Sequence, residues 1–353
     1  MIAKPLCAVV ALAVGMVVSS GGAVAQDLPR SQFKVIGGSS SSPHYKFNQM
    51  PFWTETVTAA SKGAITAEIT PLDQMGIDDK TMLRIVKLGL TDFANIDVSK
   101  MAGDDPRLEG CDLAGIALDI HKARAACQAY LPTMDKIMQE SWSTKILALT
   151  TSPPQVIWCR VPISGLADLK GKKIRVFNPS MRDFLAGVGA ESISLTFAEV
   201  LPALQRGVVD CAVTGNLTGN IAGWPEVTTH VYPMYMGWSI GVEVVNMNSW
   251  KRLDPRTQAF FLAEMPKYEA KYWAYREAAT NEADNCNYGR GTCTMAKQVK
   301  LTEVPVKPAD AAQHKQLIEN AVLRGYVKRA GPNSAKEWNE TVGRTLGFVA
   351  PTN

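Results

Sequence analysis

The chain has 353 residues, of which 46% are hydrophobic, 20% charged and 8% aromatic, with a formal net charge of +4. At roughly 100–200 residues per domain, this length holds two domains or one large one. A composition so close to the globular average excludes a disordered chain, a collagen-like repeat and a multi-span membrane protein. Lys and Arg are scattered and the excess is mild, which argues against nucleic acid or an anionic membrane surface as partner.

The first element is a leader. Lys4 supplies a basic start, Ala8 to Val18 an apolar stretch, and Ala23-Val24-Ala25 a small-x-small cleavage signal. The apolar stretch is too short to span a bilayer, so residues 1–25 read as a secretory signal peptide and the mature chain starts near Gln26. About 328 residues with a net charge near +3 remain after such cleavage. Export places the remaining cysteines, at 111, 127, 159, 211, 286 and 293, in an oxidising compartment. Cys286 and Cys293 bracket the turn-rich Asn287-Tyr288-Gly289-Arg290-Gly291-Thr292 and are expected to pair. Cys111 and Cys127 are a second expected bridge. Cys159 and Cys211 end apolar strand-like runs and either pair or, as the favoured reading, stay as buried packing cysteines.

Beyond the leader, Phe33 to Ile36 reads as a strand, followed by the loop Gly37-Gly38-Ser39-Ser40-Ser41-Ser42 and a helix from about Lys46 to Ser61. That loop is a flexible turn or, at a strand's carboxyl end, a ligand-facing loop in which Ser40 is a candidate contact. Ala64 to Thr70 is a strand, Asp78 to Leu88 a helix and Asp92 to Ile96 a strand, an order that implies a mostly parallel sheet with helices on its faces. A helix over about His121 to Trp142 is expected to be interrupted at Pro132. Further strands follow at Ile146–Thr150, Val156–Cys159, Lys173–Phe177, Ser192–Leu195 and Val208–Val213. Asn178-Pro179 and the capping box Thr196-x-x-Glu199 start the helices between them. Thr151-Ser152-Pro153-Pro154 is the best boundary between the two α/β halves. From Asp254-Pro255 to about Asp284 the positions Phe261, Met265, Tyr268, Tyr272, Tyr275 and Ala279 form one helical stripe, on a helix roughly 45 Å long. Pro266 favours a kink there, so the segment is a kinked core helix or a bending spine between domains.

Catalytic signatures are absent. The histidines at 44, 121, 230 and 314 have no metal-ligand spacing, and there is no Walker loop, nucleophile elbow or HExxH motif. The sequence therefore indicates neither an enzyme, nor a metal site, nor a cofactor.

Two stretches carry a family likeness: Leu166-Ala167-Asp168-Leu169-Lys170-Gly171-Lys172-Lys173-Ile174-Arg175-Val176, and Leu195-Thr196-Phe197-Ala198-Glu199-Val200-Leu201 running on to Val209-Asp210. With Gln74-Met75-Gly76, Met82-Leu83-Arg84 and Leu90-Thr91-Asp92-Phe93, they resemble the DctP-type solute-binding proteins of tripartite ATP-independent periplasmic (TRAP) transporters, from about Phe33 to Leu346. The resemblance implies an α/β, type II-like binding protein of two lobes, with a long kinked helix spanning both. Lobe I would comprise 26–152 plus about 239–283, and lobe II 153–238 plus about 284–353.

It also implies an organic acid held by Arg175, whose guanidinium offers two parallel donors to a carboxylate. By match, Asn178 and Phe197 line the site. Asp97 is either a polar contact or a helix cap. Where the family commonly continues Gly-Gln-Glu-Asn, this chain reads Cys211-Ala212-Val213-Thr214-Gly215-Asn216, so Thr214 or Asn216 takes the asparagine's place. Trp238, beside Gly237, is the candidate aromatic wall, favouring an apolar or aromatic tail on a monocarboxylate. The implied role is a periplasmic receptor of a Gram-negative bacterium that delivers its ligand to the small and large TRAP membrane subunits for ion-gradient-driven uptake. The alternative is a sensor-type binding protein feeding a receptor kinase.

Overall fold

In the computed structural model, Met1 and residues 28–352 are described. The expected leader lies, apart from Met1, outside the described residues. No described helix is long and apolar enough to cross a membrane.

Two sheets organise the chain. The first contains β1 (Ser31–Gly37), β2 (Ile65–Pro71), β3 (Phe93–Asp97), β4 (Thr144–Thr151) and, from far along the chain, β10 (Ile240–Asn246), in the order β2-β1-β3-β10-β4. The second contains β5 (Gln155–Cys159), β6 (Lys173–Val176), β7 (Glu191–Ser194), β8 (Cys211–Gly215), β9 (His230–Tyr232) and β11 (Thr302–Glu303), in the order β11-β9-β5-β8-β6-β7. Each sheet is parallel except for one strand: β10 runs antiparallel to β3 and β4, and β5 runs antiparallel to β8 and β9. These exceptions are the strands that begin just after the chain has crossed from one sheet to the other.

Strand alternation dresses both faces of each sheet. In the first sheet, Phe33, Val35 and Phe93 pack with Trp53 and Phe261, with Phe93 4.8 Å from both the Trp53 and the Phe261 ring. These partners come from the helical stretch that ends in α1 (Val57–Ala60) and from the long helix introduced below. Ile36, Ala94 and Ile96 face the opposite way, onto α2 (Met82–Lys87) and α3 (Ile120–Trp142). In the second sheet, Ile157, Ile174 and Val213 pack with Phe184 and Leu185 of α4 (Pro179–Val188). Val156, Trp158 and Ala212 face Val200, Ala203 and Leu204 of α5 (Phe197–Gln205). α6 (Asn216–Ile221) follows β8 directly, and α7 (Met247–Arg252) follows β10.

α8 (Pro255–Tyr288) carries the tyrosine stripe and, at 34 residues, is about 51 Å long at 1.5 Å per residue. Its first half covers the first sheet through Phe261, Met265 and Tyr268. Its second half packs on α6 through Ala279 and Ala283 against Leu217. Asn216 Nδ2 donates to the Thr280 carbonyl (3.2 Å) and Asp284 (2.8 Å), fastening the two helices. The helix thus touches the helical layers of both sheets and runs four residues past the expected end, to Tyr288.

Two prolines lie inside helices, and the interruption expected at Pro132 does not occur. α3 runs without interruption through Pro132, and α8 is helical through Pro266. Both prolines are exposed, so the carbonyl that loses its partner one turn earlier faces solvent, and the buried face of each helix carries it across the gap. The strand expected at Val208 starts at Cys211, because Gly207 takes a positive φ (+73°) and the chain turns there first. The C-terminal stretch touches both halves, Arg329 Nη1 donating to Asp183 of α4 (2.6 Å). The Trp338 indole donates to the Gly110 carbonyl, and the Tyr326 and Tyr130 hydroxyls lie 3.3 Å apart.

Three disulfides are present: Cys111–Cys127, Cys286–Cys293 and Cys159–Cys211. The last corrects the reading of Cys159 and Cys211 as unpaired packing cysteines. Their register sets them directly opposite each other on β5 and β8, with Cα atoms 4.1 Å apart, a proximity that only the strand pairing creates.

Candidate functional site

Two chain segments cross between the sheets side by side: Thr151 to Gln155, and Pro233 to Ser239. They are hydrogen-bonded to one another, Ser152 N donating to the Trp238 carbonyl (2.9 Å), Gln155 N to Gly237 (2.9 Å) and Met236 N back to Gln155 (2.7 Å). Asp112 clamps the second crossing, accepting from the backbone N–H groups of Trp238 (2.8 Å) and Ile240 (3.1 Å). Gly237 has φ +124°, and a Cβ there would meet Asp112 Oδ1 at 3.2 Å, so only glycine fits this approach without strain. Burial pushes the Asp112 carboxyl up to about 7.

Arg175 lies on β6, on the sheet face shared with Ala212 and Ile193, its register partners. It is 4% exposed, and its Nε and Nη1 donate to the carbonyls of Leu195 (3.1 Å) and Val213 (2.9 Å). Phe177 lies under the guanidinium, 5.4 Å from its carbon. None of the ion pairs among the described residues includes Arg175, and burial lowers its pKa to about 10. A second cation is electrostatically coupled to it from the first-sheet side. Lys100 follows β3, and its ammonium feels the Arg175 charge. Burial would lower the Lys100 pKa, but Asp79 (2.9 Å) and Asp97 (3.7 Å) outweigh it and hold the group charged.

The other expected site residues divide. Phe197, the first residue of α5, is 41% exposed and stacks on Trp224 with ring centres 5.8 Å apart, two residues from the carbonyl that holds Arg175. Thr214 is buried on β8 on the same sheet face as Arg175. These two lie with Arg175. Asn178 caps α4, its Oδ1 accepting from Met181 N (2.9 Å) and Ser180 Oγ (3.2 Å). Asn216 is fully buried and engaged with α8 through Nδ2, while its Oδ1 accepts from Leu217 N. Of the two candidates to replace the family's asparagine, Thr214 is therefore the one whose side chain is not already committed to α8.

Three expected contacts are engaged elsewhere. Asp97 caps the turn after β3 through Ser99 N (3.2 Å) and binds the Ser239 hydroxyl (2.5 Å), linking the first sheet to the second crossing. Ser40 binds Asp73 through both its backbone N–H (2.7 Å) and its hydroxyl (2.5 Å). Trp238 is 2% exposed, packs edge-on to Tyr235, and donates its indole N–H to the Ala117 carbonyl (3.0 Å). A tryptophan closed in by the core and satisfied at its polar end does not form an open aromatic wall. Gly237 allows close approach, as expected, but to Asp112.

Sequence reasoning missed a second polar group, on the first sheet. Glu243 of β10 is buried, and its Oε1 accepts from Gln49 (3.0 Å), Asn95 (3.0 Å) and Tyr268 (3.3 Å). Burial raises its pKa to about 7 against those three hydrogen bonds. A signal was available, because Glu243 interrupts the apolar run Val242 to Val245. His44 Nε2 lies 3.9 Å from Glu243 Oε1, and burial, then the charge of Arg276, lowers the His44 pKa well below its usual value. No group of three or more His, Cys, Asp or Glu able to hold a metal occurs among the described residues.

Several known proteins resemble this chain. It is 24% identical over 145 residues to an uncharacterized protein of Haemophilus influenzae, a match spanning 40% of this chain and 44% of that protein's own length. Its fold is that of a TRAP periplasmic solute-binding protein from Desulfovibrio salexigens with bound orotic acid (TM-score 0.76, 21% identity, 89% of this chain and 99% of that one). It is likewise that of a Bordetella pertussis extracytoplasmic solute receptor binding pyroglutamic acid (TM-score 0.75, 20% identity, 88% and 99%). The two-sheet α/β architecture with its long helix is thus the fold of these two-lobe receptors. A family model, DctP, matches residues 36–321, and the chain belongs to the bacterial extracellular solute-binding proteins, family 7.

Proposed function

We propose that this protein is a periplasmic receptor that captures a small organic acid between its two lobes and delivers it to the membrane subunits of a TRAP transporter. The lobes are read as 26–152 plus about 239–283, and 153–238 plus about 284–353. The observation that carries the reading is Arg175: a buried guanidinium oriented by two backbone carbonyls and lacking any acidic partner among the described residues. Removing a cation from water without a counter-charge costs several kcal/mol, which an incoming carboxylate offsets while accepting parallel N–H bonds. Lys100, from the facing lobe, adds positive potential as the lobes approach, so an anion favours closure over the empty open form. Phe197 and Thr214 are the remaining wall, one apolar and one hydroxylic. Family membership and the orotate and pyroglutamate carried by its structural relatives support a small acid as ligand. No chemistry on the ligand is invoked.

A thermal-shift panel of small acids tests this. Ligand at about 100 times its Kd should add roughly 2.7 kcal/mol of stability. Arg175→Ala should abolish every such shift while the unliganded protein stays folded, and a variant with unchanged affinity would overturn the assignment.

A further inference from the structure

Buried polar atoms without a hydrogen-bond partner gather at one place on the first sheet. They are both ring nitrogens of His44, Nδ2 of Asn48, Oε2 of Glu243, and Nε and Nη1 of Arg276. Three distant pieces of chain meet there: the helical stretch after β1, strand β10, and the middle of α8. The His44 ring lies 4.4 Å from the Tyr272 ring, and Arg276 Nη2 donates to the Tyr272 hydroxyl (2.9 Å). The Arg276 guanidinium rests over Tyr272 and Tyr275, at 5.4 and 5.5 Å from their ring centres. It is 1% exposed, and none of the ion pairs among the described residues includes it.

The donor count decides what fits. Arg276 offers three N–H groups on Nε and Nη1, the neutral imidazole one N–H and one acceptor nitrogen, and Asn48 its amide NH2, against one free carboxyl oxygen of Glu243. A donor-rich cluster around an uncompensated guanidinium calls for an oxygen acceptor. Its location is also suited to a ligand. Asn95, which binds Glu243, also reaches the hydroxyl of Thr150 near the end of β4, and the Tyr272 hydroxyl donates to the carbonyl of Thr151, where the crossing to the second sheet begins. Two residues beyond Asn95, Asp97 approaches Lys100, the group that feels Arg175.

We propose that Arg276 and His44 form a second ligand subsite, on the first-sheet wall, that takes a carboxylate or carbonyl oxygen of the ligand remote from the carboxylate held by Arg175. The inference rests on the reading of Arg175 given above. It makes the ligand an acid with an acceptor at each end, and it replaces the apolar tail expected from Trp238.

Titration calorimetry on the mature chain tests it with straight-chain acids of four to six carbons ending in a methyl, an amide or a second carboxylate. The wild type should prefer the amide or carboxylate ends at least tenfold over methyl, and the better of those two identifies the acceptor as neutral or anionic. Arg276→Met should erase the preference while leaving the Tm of the unliganded protein unchanged or higher, and His44→Ala should erase part of it. An unchanged preference in a folded Arg276→Met variant overturns the subsite alone, and so does a wild type that binds methyl-ended acids as tightly. Full binding by Arg175→Gln, with the preference lost in Arg276→Met, overturns the Arg175 reading alone. A wild type that binds none of these acids overturns both.

Discussion

The two sheets reach similar topologies with different internal supports. The first is backed by aromatic rings from four elements, Phe33, Trp53, Phe93 and Phe261, and it contains a buried carboxyl with one oxygen held by three side-chain donors and the other without a partner. The second is pinned by a covalent bond between neighbouring strands, Cys159–Cys211, and its buried charge is held by backbone carbonyls alone. Arg175 is thus fixed by strand geometry and has donors to spare for a ligand, whereas Glu243 depends on side chains that any repacking disturbs. One buried charge is tied to backbone, the other to side chains.

The contrast can be broken at its strongest point first. Arg175→Ala should cost about 2–5 kcal/mol of binding, the usual loss for one partner of a buried charged pair, with little change in Tm; calorimetry against any acid that stabilises the wild type checks this. Opening the second sheet's bond should affect stability instead of binding. Cys159→Ala with Cys211→Ala should destabilise by about 4 kcal/mol from the 52-residue loop, against about 2.5 for the 7-residue loop of Cys286–Cys293, by loop-closure entropy. Denaturant unfolding of the two double variants, in that order of severity, is the check. Equal losses would mean that strand pairing, not the bond, holds β5 to β8.

The first sheet should respond to pH. Burial raises the Glu243 carboxyl from an ordinary 4.5 to about 7, so its protonated form is favoured in the folded state. The stability this confers is fully present below about 4.5 and is lost as pH rises to about 7. Glu243→Gln should remove part of that dependence, and thermal melts at pH 5 and 8 measure it. Asp112, raised for the same reason from 3.8 to about 7, contributes a slope of the same sign that the variant leaves in place. The smallest effect is expected at Phe197→Ala. Its ring is 41% exposed and stacked on one neighbour, so a loss of about 1 kcal/mol or less in stability should be accompanied by a larger change in affinity for apolar-tailed acids.

How far the sequence could be read varied with the range of the interactions involved. The capping box Thr196-x-x-Glu199 and the Asn178-Pro179 start are local, and both helices begin where those residues stand. The Phe261 to Ala279 stripe announced α8 because a 3.6-residue period is written into consecutive side chains. Pro132 misled, because a lost hydrogen bond is weighed against packing that local sequence does not display. Trp238 misled for a related reason, since an aromatic residue beside glycine suits a cleft and a core equally until Asp112 and Ala117 are placed around it.

The sequence by itself determined the alternation of strands and helices, the two halves meeting near Thr151-Ser152-Pro153-Pro154, and the arginine in Lys-Ile-Arg-Val. Each of these is a short-range pattern of burial or a motif carried on consecutive residues. Only the tertiary structure decided that Cys159 meets Cys211, that Arg175 lies buried without an acidic partner among the described residues, and that His44 converges with Glu243 and Arg276 from a distant part of the chain. Those outcomes depend on strand register and on where a 34-residue helix lies across two sheets, and neither is encoded in the neighbours of any one residue.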